Sequence, residues 1–459
     1  MKKAILLSGV VFVFSTAIAW CQTSIDASEF QARRSSLMEK APDGIVLLHS
    51  FSAGKRWDEA GFHQDPNFSY FTGMQNLHGA ILAVDGTVKQ SWLFVATPAQ
   101  NVRERMSDLK GADSVYVEAG DQTKSDLRID HVMPWDDFVG FIEWRRKSDP
   151  KLVLYLDDGG DGSQAPRISN PAGLSPIENP YLLWSTAIKE KWPEANIGKA
   201  TPLTNEIRAV KSPREIVAMK KAAEYSVAGL WSAAALIKPG RTQRQIEAAA
   251  IQGGMLAGAD GVSMWPMVQT GSGFSFAEKF YDFHLGNRIM REGETITIDV
   301  GFDSGSYKGD LGRTFPVSGH FSKEQREILN LLNGAYQAGL RAIRDGTTSE
   351  DLIRACIQYV QEHQQNLKTE LEKQAVKKLL EPSTYVMYTH GSEMVEIFAP
   401  KVLHTGNTLA FAPEFHIGDQ RFYIEDVVLI TKDGYELINP PLPYSPNDLE
   451  AAIIRERRR

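Results

Sequence analysis

TITIDVGFDSGSYKGDLGRTFPV, from Thr295 to Val317, carries two aspartates eleven residues apart on what read as neighbouring strands. Thr295 to Val300 is β-branched at almost every position and alternates its side chains, a strand pattern in which Asp299 projects from one face near the strand's end. Gly301 to Gly309 reads as a turn, and Asp310 opens a second extended run, Arg313 to Val317, so a hairpin brings the two carboxylates together. Carboxylates held close repel unless a cation lies between them or one keeps a proton, and the arrangement suits a divalent metal. The plainer alternative is that each aspartate caps a turn. Spacing alone leaves both open.

A chain of 459 residues is too long for one ordinary core, so two domains are expected. Its hydrophobic fraction of 42% and charged fraction of 23% are globular values. A net charge of -7 gives no electrostatic footprint for nucleic acid. The basic run Arg455 to Arg459, RERRR, reads as a solvated tail. Lys2 and Lys3, the apolar run Ala4 to Phe14 and the small residues up to Ala17-Ile18-Ala19 have the order of a secretory signal peptide, residues 1–19. Export, periplasmic or secreted, is therefore expected. Cys21 invites a lipoprotein reading, against which the bulky Trp20 stands. No other apolar run is long enough to span a membrane. With only Cys21 and Cys356, the fold relies on its core and not on disulfides; Cys356, in a helical pattern, reads as a small buried hydrophobe.

Phe30 to Lys40 reads as a polar helix. Ile45 to His49, Gly79 to Val84, Ser91 to Val95, Ser114 to Val117 and Lys151 to Leu156 read as strands, with a hairpin turn at Asp85-Gly86 and helical stretches between the later ones. That alternation indicates an α/β domain over residues 24–200. DDGGDG, from Asp157, has the wrong spacing for an EF-hand and reads as a surface turn. Near Thr201 the pattern changes to a short helix, a break, and a new helix with Pro213 in its first turn. Helices over Glu215 to Leu236, Arg241 to Ala257, Lys323 to Asp345 and Ser349 to about Leu380, the last open to interruption, are grouped apart from strands at Met264 to Gln269, Thr295 to Val300, Tyr385 to Tyr388, Thr408 to Ala412 and Phe422 to Thr431. This indicates an α+β domain over residues 204–459, with a boundary near residue 200.

IDVG, GDLGRTFPVSGHFSKEQREI and IEDVVLIT resemble the metallopeptidases of the creatinase and methionine aminopeptidase superfamily (M24), the pita-bread fold. The resemblance to the aminopeptidase P family is closer. FHQDPNFSYFTG, Phe62 to Gly73, is similar to that family's N-terminal, creatinase-like domain, with His63 where arginine is usual, and EIRAVKSPREI, Glu206 to Ile216, is similar to the opening of its catalytic domain. The resemblance implies two divalent ions, commonly manganese, held by two aspartates, a histidine and two glutamates, and a substrate with proline in second place. Asp299, Asp310 and Glu425 match three of these metal ligands. The usual glutamate falls on Ala412 and the usual histidine on Met394, although the shortened segment between His390 and Ala412 would let His390 shift into the ligand role. The family's substrate-side histidine falls on Asp282, with His284 nearby, and its arginine on Tyr423, with Arg421 nearby. Glu393 and Glu396 flank Met394, and Glu414 shares a strand face with Ala412 about 6.5 Å along it.

Three readings follow. The first is an exported Xaa-Pro aminopeptidase-like metallohydrolase with an incomplete ligand set, binding one ion, two or none, manganese foremost. The second is a metal-free enzyme of creatinase type, in which His390, Glu414, Glu425 and His416 act on a small amide as general acids and bases. The third is an inactive peptide- or protein-binding relative. The resemblance also implies a homo-oligomer as one alternative.

Overall fold

In a computed structural model the chain is described over residues 25–51, 64–97, 116–157, 180–271, 287–391, 397–398 and 401–458. The signal-type segment, Trp20, Cys21, Phe62, His63, the DGGDG part of the surface turn, Asp282, His284, Glu393, Met394 and Glu396 lie outside these residues.

Strands β1 (Gly44–His49), β2 (Ala80–Asp85), β3 (Gln90–Val95), β4 (His131–Pro134), β5 (Val153–Leu156) and β6 (Asn196–Lys199) form one sheet in the order β4-β3-β2-β1-β5-β6. β1–β5, β5–β6 and β3–β4 pair in parallel, while β2 runs against both neighbours. A mostly parallel sheet is covered on both faces, and its central strands are apolar on both. Ile45 and Leu47 face a cluster with Phe94, Phe138 and Trp192, and Val46 and Leu48 face another with Leu37, Phe68 and Leu82. β4 and β6 were not expected from the sequence, and Tyr116 and Val117 of the expected fourth strand are not in a strand.

The second sheet is built from β7 (Met267–Thr270), β8 (Thr295–Val300), β11 (Leu311–Pro316), β12 (Tyr385–Thr389), β13 (Ile397–Phe398), β14 (Thr408–Ile417), β15 (Gln420–Ile430) and β16 (Tyr435–Leu437). It runs β13-β12-β14-β15-β11-β8-β7, with β16 beside β15, and its pairings are antiparallel. The turn expected over Gly301 to Gly309 contains a small hairpin of its own, β9 (Asp303–Ser304) with β10 (Tyr307–Lys308). Alternation in Thr-Ile-Thr-Ile-Asp-Val decides which way β8 faces. Ile296, Ile298 and Val300 are fully buried in a core shared with the helices Pro213–Leu236, Gln243–Leu256, Lys323–Ala342 and Ser349–His363. Thr295, Thr297 and Asp299 therefore line the other face. Five helices, among them Pro213–Leu236 with Ser212 and Glu215, begin at capping boxes that satisfy their first amide groups. The long fourth helix is interrupted, as Ser349–His363 and Glu370–Leu379.

A buried polar knot joins the first helix, Ala27–Lys40, to this second part. Arg33 donates to Glu29 Oε1 at 2.6 Å, to the Tyr70 carbonyl at 3.0 Å and to Tyr307 Oη at 3.1 Å. Tyr307 in turn donates to Glu215 Oε1 at 3.1 Å, and Ser212 Oγ to Glu29 Oε1 at 2.7 Å. Among the described residues no helix is long and apolar enough to cross a membrane.

Candidate metal centre

Strand register assembles the site. Met267 lies opposite Asp299, Asp299 opposite Gly312, and Gly312 opposite Glu425, so the four share one row across the sheet. β14 continues that row, because Phe411 pairs with Asp426 and so sets Ala412 beside Glu425, with Val386 of β12 beyond it. Gly312 is the gap in the row, and a Cβ there would stand 2.0 Å from Cε1 of the Tyr423 ring. Glycine lets that ring lie flat over the strand. The Tyr423 hydroxyl donates to Glu425 Oε2.

Asp310, on the same side one step before β11, meets His390 just past β12, with Nε2 3.1 Å from Asp310 Oδ2. The Lys308 amide donates to the Gly391 carbonyl at 2.8 Å, which ties the hairpin carrying Asp310 to the segment carrying His390. Asp310, His390 and Glu425 each offer a ligand atom, and the three atoms lie within 4.8 Å of one another. These three and Asp299 are between 2% and 8% exposed. The hairpin does bring Asp299 and Asp310 together, and neither caps a turn.

Burial, together with the Asp310 and Glu425 charges, holds the Asp299 carboxyl well above the ordinary carboxylate range. Burial and the neighbouring Asp310 do the same to Glu425, against the Tyr423 hydrogen bond. Tyr423 is pushed far up by burial and by these carboxylates, so it remains a phenol that donates. Asp299 Oδ1 and Asp310 Oδ1 are buried without a hydrogen-bond partner. Clustered buried carboxylates with spare lone pairs, one imidazole and no thiol fit a hard to borderline divalent cation of the manganese kind.

Glu414 lies across from Tyr423 on β14 and, with Met267, Gln269, Thr297, Asp299 and Tyr423, lines a narrow cleft with room for about one water molecule. Burial raises its carboxyl, and Arg421 pulls the other way. Arg421 donates to Gln269 Oε1 at 2.8 Å and to the Gly271 carbonyl at 3.0 Å. His416 lies opposite Arg421 and is exposed, well along the sheet from the triad. Gln269 closes the strand expected from Met264 but was not singled out there as a residue of the site. The signal was available, for Gln269 alternates with Met267 on a short apolar strand and so shares the face of Asp299.

Residues 217–432 match the description "Metallopeptidase family M24", and residues 30–153 match "Aminopeptidase P, N-terminal domain". The chain belongs to metallopeptidase family M24. It has the two-part build of the aminopeptidase P branch, an N-terminal domain followed by a pita-bread catalytic domain. It is 23% identical to the Xaa-Pro aminopeptidase of Escherichia coli K12, over 95% of this chain and 100% of that one. It is 22% identical to the mitochondrial intermediate cleaving peptidase 55 of Arabidopsis thaliana, over 94% and 83%. The solved structure of an aminopeptidase P from Bacillus anthracis, described as putative, superposes with a TM-score of 0.75 at 20% identity, covering 94% of this chain and 99% of that one. Membership of M24 implies use of a divalent metal. Neither the metal-free enzyme nor the inactive binder is favoured by these relatives.

Proposed function

We propose that the chain is an exopeptidase that removes the first residue from peptides with proline in second position, working with one divalent cation, manganese foremost. Asp310, His390 and Glu425 would hold the cation, beside Asp299, whose carboxyl is buried against Asp310. The observation that carries this reading is the buried triad, whose ligand atoms lie within 4.8 Å of one another. When bound, such a cation acts as a Lewis acid and lowers the pKa of bound water, providing a nucleophile at neutral pH.

The protein's own groups do the rest. Tyr423 fixes one oxygen of Glu425 through its hydroxyl. The Lys308 to Gly391 bond keeps Asp310 and His390 in register. Ala412 and Val386 continue the Glu425 row with apolar side chains, which supports one cation in place of the family's usual two, with His390 replacing the usual histidine. The relatives' names, Xaa-Pro aminopeptidase among them, support the substrate class. The basic, apolar and small-residue order of residues 1–19 supports export, and the change of sheet type supports a domain boundary near residue 200.

The test is turnover of an Ala-Pro-Ala peptide by protein reloaded with manganese, zinc or cobalt, with released alanine quantified by mass spectrometry. Release that a chelator abolishes and added metal restores is the expected outcome. No release with any of the three ions would sink the reading.

A further inference from the structure

The buried knot that joins the first helix to the second part of the molecule ends three residues from a metal ligand. Tyr307, on β10 of the small hairpin, is buried, and its hydroxyl lies between a guanidinium and a carboxylate. It accepts from Arg33 Nη2 at 3.1 Å and donates to Glu215 Oε1 at 3.1 Å. Each of those partners is fixed in turn. Arg33 also bonds Glu29 and the Tyr70 carbonyl, and its guanidinium lies 3.9 Å over the Tyr70 ring. Glu215 completes the capping box of helix Pro213–Leu236 by accepting from the Ser212 amide at 2.9 Å. Burial, and after it the Glu215 charge, pushes the Tyr307 phenol far above its ordinary value, so the hydroxyl keeps the proton it donates.

The chain between Tyr307 and Asp310 is held at each residue. The Lys308 amide donates to the Gly391 carbonyl at 2.8 Å, and the Gly309 amide to the Phe302 carbonyl at 2.9 Å. At Gly309 a Cβ would stand 2.5 Å from the backbone of Ala222, so the segment lies directly on the helix that Glu215 caps. The Tyr307 ring belongs to an apolar cluster with Ile216, Ala410 and Val427, and a phenylalanine would serve that cluster as well. What the hydroxyl adds is a defined position, because a buried polar network is satisfied in one arrangement while apolar contacts tolerate several.

We propose that Tyr307 is a positioning residue for the cation: its hydroxyl, clamped between Arg33 and Glu215, holds the hairpin so that Asp310 meets His390 at ligand distance, and the helix Ala27–Lys40 is thereby coupled to metal binding. The proposal rests on the cation site of the preceding reading and not on peptide cleavage. Such coupling is reciprocal. If the clamp tightens the cation, the cation tightens the clamp and the helix that supplies Arg33.

Two measurements on the full chain test it, and neither uses a peptide. The first is the manganese Kd, by titration against a competing chelator. Tyr307→Phe should weaken the ion by about 5-fold or more, and Arg33→Met should do the same. The double variant should be no weaker than the weaker single one, because both act along one path. Arg33→Lys should restore part of the affinity. A role in stability alone would lower the unfolding midpoint of the chelated protein and leave the Kd of the folded protein unchanged. The second is amide hydrogen exchange of the wild type with and without manganese, which decides even if no variant folds. Manganese should slow exchange in Ala27–Lys40 by more than in the helix Asp137–Ser148, which packs on the other face of the first sheet. An unchanged Kd in Tyr307→Phe, or equal slowing of the two helices, overturns the coupling while the cation site stands. No manganese bound by the wild type overturns both.

Discussion

Tyr423 is the residue on which the sequence and the site diverge most instructively. At a place where the family resemblance puts an arginine, a phenol lies over Gly312 and donates to Glu425 Oε2. Outer groups that orient metal ligands commonly contribute 10- to 100-fold to metal affinity. Tyr423→Phe keeps the ring and deletes the donor. It should weaken the cation by roughly 10-fold, read by titration against a competing chelator, with little change in unfolding of the metal-free protein. His390 was legible only as an alternative, because the segment after it is shortened and the family spacing pointed to Met394. Geometry, not spacing, sets it against Asp310.

At the scale of elements, β15 carries the site on one side and a buried anchor on the other. Asp426 points away from the triad and accepts from Arg313 at 2.8 Å, Asn439 at 2.8 Å, Tyr336 at 3.0 Å and Tyr444 at 2.9 Å. Deleting one member of such a pair strands the other charge in the interior, at a cost of about 3–5 kcal/mol. Asp426→Ala should lower the free energy of unfolding by that amount in a denaturant titration. The C-terminal helix Pro446–Glu456 gives a pH signature of its own. Burial pulls the Glu450 carboxyl up, but hydrogen bonds from Arg326 and the Phe321 amide outweigh it and hold the group below the ordinary glutamate value. A depressed carboxyl stabilises the fold above its unfolded pKa and ceases to do so as pH falls through its folded pKa. The stability gap between wild type and Glu450→Gln should thus be full at neutral pH and close below about pH 4.3. β8 was legible end to end because its alternation is unbroken. β14 was read only to Ala412, since Pro413 lacks a ladder donor, yet it runs on to Ile417 and so brings Glu414 to the cleft. β4, His-Val-Met-Pro, ends on a proline, and β6, Asn-Ile-Gly-Lys, has one large apolar residue beside a glycine, so neither shows a strand pattern.

Across the whole molecule, the two-part architecture was readable from the change in pattern near residue 200, and the family from motifs that keep their order along the chain. The polar knot from Arg33 to Glu215 was not, because apart from the Glu29–Arg33 pair its bonds join residues 37 to 274 positions apart, each ordinary in its local context. That knot reaches Tyr307, three residues before Asp310, so the N-terminal helix steadies the hairpin on which the site depends. The proposed function requires a single cation held by Asp310, His390 and Glu425. The most direct test is metal content by plasma mass spectrometry after the protein is loaded with manganese and dialysed. The account predicts one equivalent per chain in the wild type and near-complete loss in His390→Ala with the fold retained. Two equivalents, none, or undiminished metal in His390→Ala would contradict it.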